Sequence, residues 1–389
     1  MFFYLKSPLI CAIISSVIRK EFFMNALSIV ILIFSIVAAV DYVIGNKLGI
    51  GKEYEKGFML LGTMALSMIG MISIAPLLGK WLSPALTFLS ETLGIDPSII
   101  PASLFANDMG GAPLSVEVAK DSAVGLFNGL VVSSMMGCTI SFTIPFALGL
   151  VKKEDRRFMI FGLLSGIVTI PVGCFVGGLV CKLPILTLLV DILPLVIFSG
   201  IIATGLILFP DACVKIFNVF GFIIKAIIII GLTLGIVNFL AKKQVVSDIA
   251  PIEEGALVCL NASIVMTGMF PLISLISRLL SKPLKALGRK VGINECSIIS
   301  IVSSLATSAG TFGMMDRMDN KGKLLNSAFA VSGAFTFASH LAFTMAYNAD
   351  YIPAVIAGKL VAGVLSLVVG FVLYKKFDKN TEERKEVTV

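Results

Sequence analysis

Apolar residues fill runs of about twenty positions again and again along the chain, the length of one bilayer crossing by an α-helix. Runs near 24–45, 57–79, 123–150, 157–181, 183–209, 212–240, 255–277, 322–346 and 352–375 predict nine spans. Two further stretches, 97–120 and 295–320, are moderately apolar but interrupted at their centres. The first carries Asn107-Asp108-Met109-Gly110-Gly111, the second Gly310-Thr311-Phe312-Gly313. Non-helical backbone persists at membrane depth only where protein buries it or a wet cavity reaches it. Both stretches are therefore read as re-entrant hairpins, with tips at Asn107, Gly110 and Gly111 and at Gly310, Thr311 and Gly313.

Composition narrows the class. Of 389 residues, 57% are hydrophobic and 14% charged, and the mean hydropathy is +1.00. A soluble domain carries roughly 25% charged residues. A soluble enzyme, a secreted disulfide scaffold and a disordered chain are all excluded. The formal charge of +7 falls in particular loops. Lys47, Lys52 and Lys56, then Lys152, Lys153, Arg156 and Arg157, then Arg278, Lys282, Lys285, Arg289 and Lys290 lie in alternate loops, with Lys375, Lys376 and Lys379 in the tail. The positive-inside rule puts these loops and the C-terminus in the cytoplasm. The basic residues are otherwise dispersed, so no nucleic-acid partner is indicated; the partner is the lipid bilayer. Seven cysteines without a C-x-x-C pair indicate neither a disulfide framework nor a metal site. Residues 1–23 hold an apolar run too short for a span. They read as an extra span, an interfacial helix, or an extension ahead of a start at Met24.

The two halves resemble each other at an offset of about 199 residues. Glu55 aligns with Glu254, Pro84 with Pro283, Gly94 with Gly292, Ala106 with Ala306 and Gly110 with Gly310. Asn128 aligns with Asn326, Ser134 with Ser332 and Ser141 with Ser339. An odd number of crossings separates the copies, which inverts the second, a pattern of secondary transporters. The expected fold is all-α: a polytopic membrane transporter with two inverted repeats, each with a re-entrant helical hairpin. The repeats are 55–181 and 254–377, joined by central spans in 182–253. The extension 1–23 and a first span and loop, 24–54, precede them, and a tail, 378–389, follows.

Candidate chemistry lies in and after the hairpins. Ser134, Cys138 and Ser141 form a polar stripe at α-helical spacing, as do Ser332, Thr336 and Ser339; Asn326, Gly333 and His340 form a second line at spacing seven. Helix packing is the competing reading for these small polar residues. Asp108 sits at a hairpin tip, where a carboxylate at depth suggests function and a helix cap is the plainer alternative. Glu117 lies in the returning arm, and a solvated face competes there. Asp319 is expected to cap the span starting near 322. His340, the single histidine, either titrates or hydrogen-bonds within the bundle. Asp191 and Lys225, in the central spans, are expected to neutralise each other. Sites rich in acceptors and poor in cations favour a small, polar, positively charged solute. One histidine makes no catalytic triad or metal centre, so no enzyme and no cofactor are expected.

At these segments the chain resembles the ethanolamine permease family of the ethanolamine utilization operon, the EutH type. The resemblance runs over about 24–377 and rests on several stretches. They are Asp108-Met-Gly-Gly111, Ser134-Met-Met-Gly137, Ile144-Pro-Phe-Ala-Leu-Gly149, Asp155-Arg-Arg157 and Gly166-Ile-Val-Thr-Ile-Pro171 with Gly173-Cys174. Further on come Phe312-Gly-Met-Met315, Met318-Asp319, Gly322-Lys323, Asn326, Ala328-Phe-Ala-Val-Ser332 and His340-Leu341. Three positions depart from the family pattern: Asn107 stands for a cysteine, Ser339 for an aspartate and Asp316 for a lysine. The resemblance implies uptake of ethanolamine across the bacterial inner membrane by a multi-pass permease, with a homo-oligomer expected. In that setting Asp108, helped by Glu117, would pair with the ammonium. Asn326, Ser332, Thr336 and Ser134 would offer neutral oxygens, with His340 beside them. A proton- or sodium-coupled transporter of another small polar solute is the alternative.

Overall fold

A computed structural model describes residues 8–386, and among them every regular element is helical. Helix α1, Pro8–Val43, runs without a break from residue 8 into the first apolar run. Residues 8–23 are thus continuous with the first span rather than a separate helix; residues 1–7 lie outside the described ones. The loop to α2 folds over Asp41, whose carboxylate accepts from the amides of Leu48, Ile50 and Gly51 at 2.6, 2.9 and 2.8 Å. Helix α2 spans Gly51–Leu93 in one piece, extending the expected span 57–79 at both ends. At 1.5 Å per residue it is about 65 Å long, twice a hydrocarbon core of about 30 Å. It stops at Gly94, whose φ of +69° suits a residue without a side chain.

Two short helices follow, α3 (Ile99–Leu104) and α4 (Gly111–Val118), parted by a tight turn at Asn107–Met109. Asp96 ties their outer ends together: its Oδ2 accepts from the amides of Lys120 and Asp121. The stretch Ser122–Leu150 is membrane-length but not a uniform α-helix. It begins as α5 (Ser122–Phe127), widens into π-helix over Asn128–Gly137 and Thr139–Thr143, and ends as α6 (Ile144–Leu150). Helices α7 (Arg156–Ile167) and α8 (Ile170–Val180) join through a turn at Val168–Thr169. Helices α9 (Ile185–Leu208) and α10 (Pro210–Ala241) expose Leu186, Ile197, Ile216 and Phe222, as suits surfaces facing acyl chains.

The second half opens with α11, Ile252–Val291, which like α2 holds two internal prolines and closes on a glycine of positive φ, Gly292 at +73°. Short helices α12 (Glu295–Ser304) and α13 (Ser308–Gly313) lead to α14 (Asn320–Ser332). Asp319 caps α14, accepting from the Gly322 amide at 3.1 Å, as its sequence position suggests. One expectation needs correction: 322–346 is not one span. The helix stops at Ser332, the chain unwinds over 333–338, and α15 resumes at Ser339–Asn348. Helix α16, Ile352–Glu386, completes the described chain. Eight helical units among the described residues are long and apolar enough to cross a membrane, one fewer than the hydropathy reading.

Bonds between distant segments sort the loops. One end of the bundle holds Arg278 donating to the Leu48 and Gly49 carbonyls, the Lys285–Glu295 pair, Lys152–Asp316 at 2.9 Å and Lys323–Asp155 at 2.5 Å. Tyr351 donating to the Ala123 carbonyl at 3.2 Å and Lys80–Asp248 at 2.7 Å are at the other. The basic loops of the sequence thus gather at one end. The Lys152 ammonium beside exposed Asp316 holds that carboxyl below the usual carboxylate range.

The interior is sewn by close backbone approach. Helix α7 packs on α14 and α8 on α16. A Cβ on Gly166 would stand 2.6 Å from the Ala328 carbonyl oxygen, and one on Gly173 would stand 2.5 Å from that of Gly358. Small residues permit this contact, the usual device where lipid gives helices no hydrophobic reason to associate. Two threonines cross the seams: Thr139 donates to the Met135 and Val331 carbonyls and Thr169 to those of Gly166 and Ala362, each placed to share its proton.

Candidate substrate cavity

The turn between α3 and α4 sets the floor of the site. Gly110 has φ +107°, and a Cβ there would overlap the Met71 side chain; one on Gly111 would lie 2.3 Å from the Phe105 carbonyl oxygen. The glycine pair lets the chain reverse inside the protein. Ser141 steadies it, its hydroxyl accepting from the Ala106 amide at 3.1 Å and donating to the Gly137 carbonyl at 2.7 Å. Asn107 is fully buried, and neither of its side-chain polar atoms has a partner. Asp108, next to it, is half-buried and lines a cavity of about 180 Å³.

Three further walls flank the cavity. The π-helical segment supplies Cys138 and Phe142, and α2 supplies Thr63, Met64 and Ser67. The unwound stretch after α14 supplies Phe335, and the start of α15 supplies Ser339 and His340. The unwound stretch is held open by backbone bonds: the amides of Phe335 and Phe337 donate to the carbonyls of Ser304 and Leu305, each at 3.0 Å, at the end of α12. Phe335 adopts φ +60°, a left-handed conformation costly for an aromatic residue and typical of sites where surroundings enforce it. Its ring meets Phe142 edge-on at 5.5 Å and His340 at 5.2 Å. Ser339 lines the same cavity as the Asp108 carboxylate.

Chemically the cavity offers one carboxylate, two phenyl faces, and the hydroxyls of Thr63, Ser67 and Ser339, while no lysine or arginine lines it. A carboxylate beside aromatic faces suits an organic ammonium. In the cavity wall, His340 Nδ1 is buried without a partner, as are Ser332 Oγ and Asn326 Oδ1 elsewhere in the bundle. Buried polar atoms are nearly always satisfied, so the orphaned His340 nitrogen marks a place for water or a polar solute.

The structure brings Asp108 and His340 together, with Asn107, Gly110 and Gly111 forming the turn that presents the carboxylate. The other candidates lie apart. Glu117 is exposed and packs on Gly79 of α2. Asn326 Nδ2 donates to the Ser297 and Gly322 carbonyls, both at 2.9 Å. Ser134 and Thr336 donate to the Val131 and Gly333 carbonyls of their own segments, and Ser332 is buried. Gly310, Thr311 and Gly313 line no part of this cavity; Gly310 and Gly313 are exposed. The polar stripes are corrected. A π-helix has more residues per turn than an α-helix, so Ser134, Cys138 and Ser141 do not keep α-helical spacing. The second set, with Asn326, Gly333 and His340, straddles the unwound stretch. The Asp191–Lys225 pairing is corrected too: Asp191 accepts from Asn128 Nδ2 at 3.1 Å, and Lys225 is exposed. One residue near the site escaped the sequence reading. Lys359 of α16 is 1% exposed and donates to the Ser134 carbonyl at 2.7 Å.

The fold and cavity define a class: an all-helical, multi-pass membrane protein whose interior presents a carboxylate to a space the size of a small solute. Residues 24–373 match the family described as "Ethanolamine utilisation protein, EutH", and the chain belongs to that family. It is 40% identical over 357 residues to the probable ethanolamine permease EutH of Listeria monocytogenes, covering 92% of this chain and 96% of that one. With the probable ethanolamine permease EutH of Escherichia coli it shares 35% identity over 90% of this chain and 95% of that one. An uncharacterised Bacillus subtilis protein, YxeR, is 36% identical over 87% of this chain and 92% of its own. No solved structure matches.

Proposed function

We propose that this protein carries ethanolamine, as the ethanolammonium cation, across the bacterial inner membrane, with its C-terminus in the cytoplasm, and is a transporter rather than an enzyme. An amine of this kind has a pKa of ~10, so at neutral pH nearly every molecule is charged and crosses lipid poorly. The Asp108 cavity carries the reading. Its carboxylate pairs with the ammonium, Phe142 and Phe335 offer ring faces to it, and the Ser339, Ser67 and Thr63 hydroxyls lie where a two-carbon alcohol can reach them. The printed names of the Listeria and Escherichia relatives support the choice of solute.

The architecture is two inverted copies of one unit. Paired details support this: α2 and α11 both end on positive-φ glycines. Asn128 donates to the Ser98 hydroxyl as Asn326 does to the Ser297 carbonyl. Each copy also abandons regular α-helix after its asparagine, by widening in one and unwinding in the other. The breaks at Phe105–Gly110 and Leu305–Thr307 are the turns of re-entrant hairpins.

Asp108→Asn tests the site. Removing one partner of a desolvated charge pair costs about 2–5 kcal/mol, roughly 30-fold or more in affinity. Uptake of labelled ethanolamine at pH 6 should collapse while membrane insertion persists. Uptake within threefold of the parent would remove Asp108 from the binding site.

A further inference from the structure

Lys359 has no role in the cavity as described, yet its position is unusual. It is the one lysine among the largest fully buried side chains of the described residues. Its neighbour Gly358 packs on the Gly173 carbonyl and on Met135, so this part of the α8–α16 seam is closely packed. Its ammonium meets the Ser134 carbonyl at 2.7 Å, one π-helical turn before Cys138 of the cavity wall. Among the described residues no carboxylate forms an ion pair with it. The titratable groups facing it are Asp108 on the turn, Cys138 on the π-helical segment, Cys174 on α8 and, on α15, His340. The cations of α7 and α14 lie near their N-termini, with Lys323 already paired to Asp155.

An internal alkylammonium is thus set one π-helical turn from the wall of a cavity whose carboxylate is built to take another. With the cavity empty, Asp108 and Lys359 sum to zero charge. With ethanolammonium bound and Lys359 still protonated, the site would carry a net positive charge inside a low-dielectric bundle, an expensive arrangement. We propose that Lys359 stands in for the substrate's ammonium, so that the protein exchanges one entering ethanolammonium for one departing proton. This rests on the ethanolamine reading above. When the substrate binds from outside, the proton on Lys359 passes to water on that side. When the substrate leaves inside, Lys359 takes a proton from that side, and the neutral pair returns. Charge and protons balance: one cation enters, one proton exits, and no net charge moves.

The test uses the full-length protein in proteoliposomes with radiolabelled ethanolamine, a pH dye in the lumen, and valinomycin with potassium to set the potential. Protein-free vesicles give the background from neutral amine diffusion. The parent should release one proton from the lumen per ethanolamine taken up, at a rate unaltered by an inside-negative potential. Lys359→Gln should lose proton release and become potential-driven. Lys359→Arg, whose cation cannot discharge, should lose uptake at least tenfold while remaining monodisperse in detergent. Potential-driven uptake without proton release by the parent, or unchanged proton release in Lys359→Gln, would overturn the exchange alone. No ethanolamine uptake by the parent would overturn the substrate reading, and the exchange with it.

Discussion

The Lys323–Asp155 pair lends itself to a quantitative test. The two side chains are each 11% exposed and meet at 2.5 Å, joining the start of α14 to the start of α7. At an effective dielectric constant near 20, Coulomb's law gives about 7 kcal/mol of attraction at that distance, most of it offset by desolvation of the two ions. Replacing one partner leaves the other charge buried and unanswered, at a cost of about 3–5 kcal/mol, whereas replacing both with apolar residues of similar size is close to neutral. Asp155→Leu and Lys323→Met should therefore each destabilise by about 3 kcal/mol or more, and the double variant should lie within about 1 kcal/mol of the parent. Denaturant unfolding of purified protein in detergent, read by a double-mutant cycle, measures the coupling. Additive losses in the double variant would show that the pair contributes nothing as a pair and refute the reasoning.

Three further outcomes are expected. Gly173→Ala drives a Cβ to 2.5 Å from the Gly358 oxygen and 2.6 Å from the Ala362 Cβ; backbone cannot yield there, so detergent-extracted protein should be aggregated in size-exclusion chromatography. Phe142→Leu keeps an apolar wall but removes a ring face, which is worth about 1–2 kcal/mol to a cation; ethanolamine affinity by isothermal calorimetry should fall roughly 5–30-fold, with folding intact. Asp316 has its pKa held down by Lys152. A depressed carboxyl stabilises the link at neutral pH and loses it as pH falls through the folded pKa. In carbon-13 NMR of labelled protein, Lys152→Met should raise the Asp316 titration toward the ordinary range.

Much of this molecule is legible in its residues. Hydropathy located the long helices because each apolar run must satisfy its own backbone, and Asp319 announced its cap by standing just before a helical run. The break at Asn107–Gly111 was visible as a glycine and polar interruption; the second was expected at Gly310–Gly313, but those residues are helical in α13 and the chain breaks at 305–307, where no glycine marks it. The unwinding at 333–338 was not, because Ala334, Phe335 and Phe337 look like any helix interior; what opens it is a bond from another element, Ser304 O to the Phe335 amide. The π-helix over 128–137 was hidden for a similar reason: helix type is decided by packing, and the residue types do not encode it. Lys359 escaped notice because a single lysine in a long apolar run has no sequence neighbour to mark it as buried. Asp108 stood out because glycines flank it, and the structure sets His340 beside it across 232 positions of chain.

The bare glycines along α7–α14 and α8–α16, with the threonines that reach α14 from the π-helical segment and α16 from the α7–α8 turn, have a mechanical implication. Such seams have no bulky knobs to ride over one another, and each sideways slip would break a hydrogen bond in oil. These four helices are consequently expected to move as one body. On the transport reading proposed above, the rearrangement would leave that stitching shut and draw its stroke from the joints at 105–110 and 333–338, where the backbone has already let go of the helix.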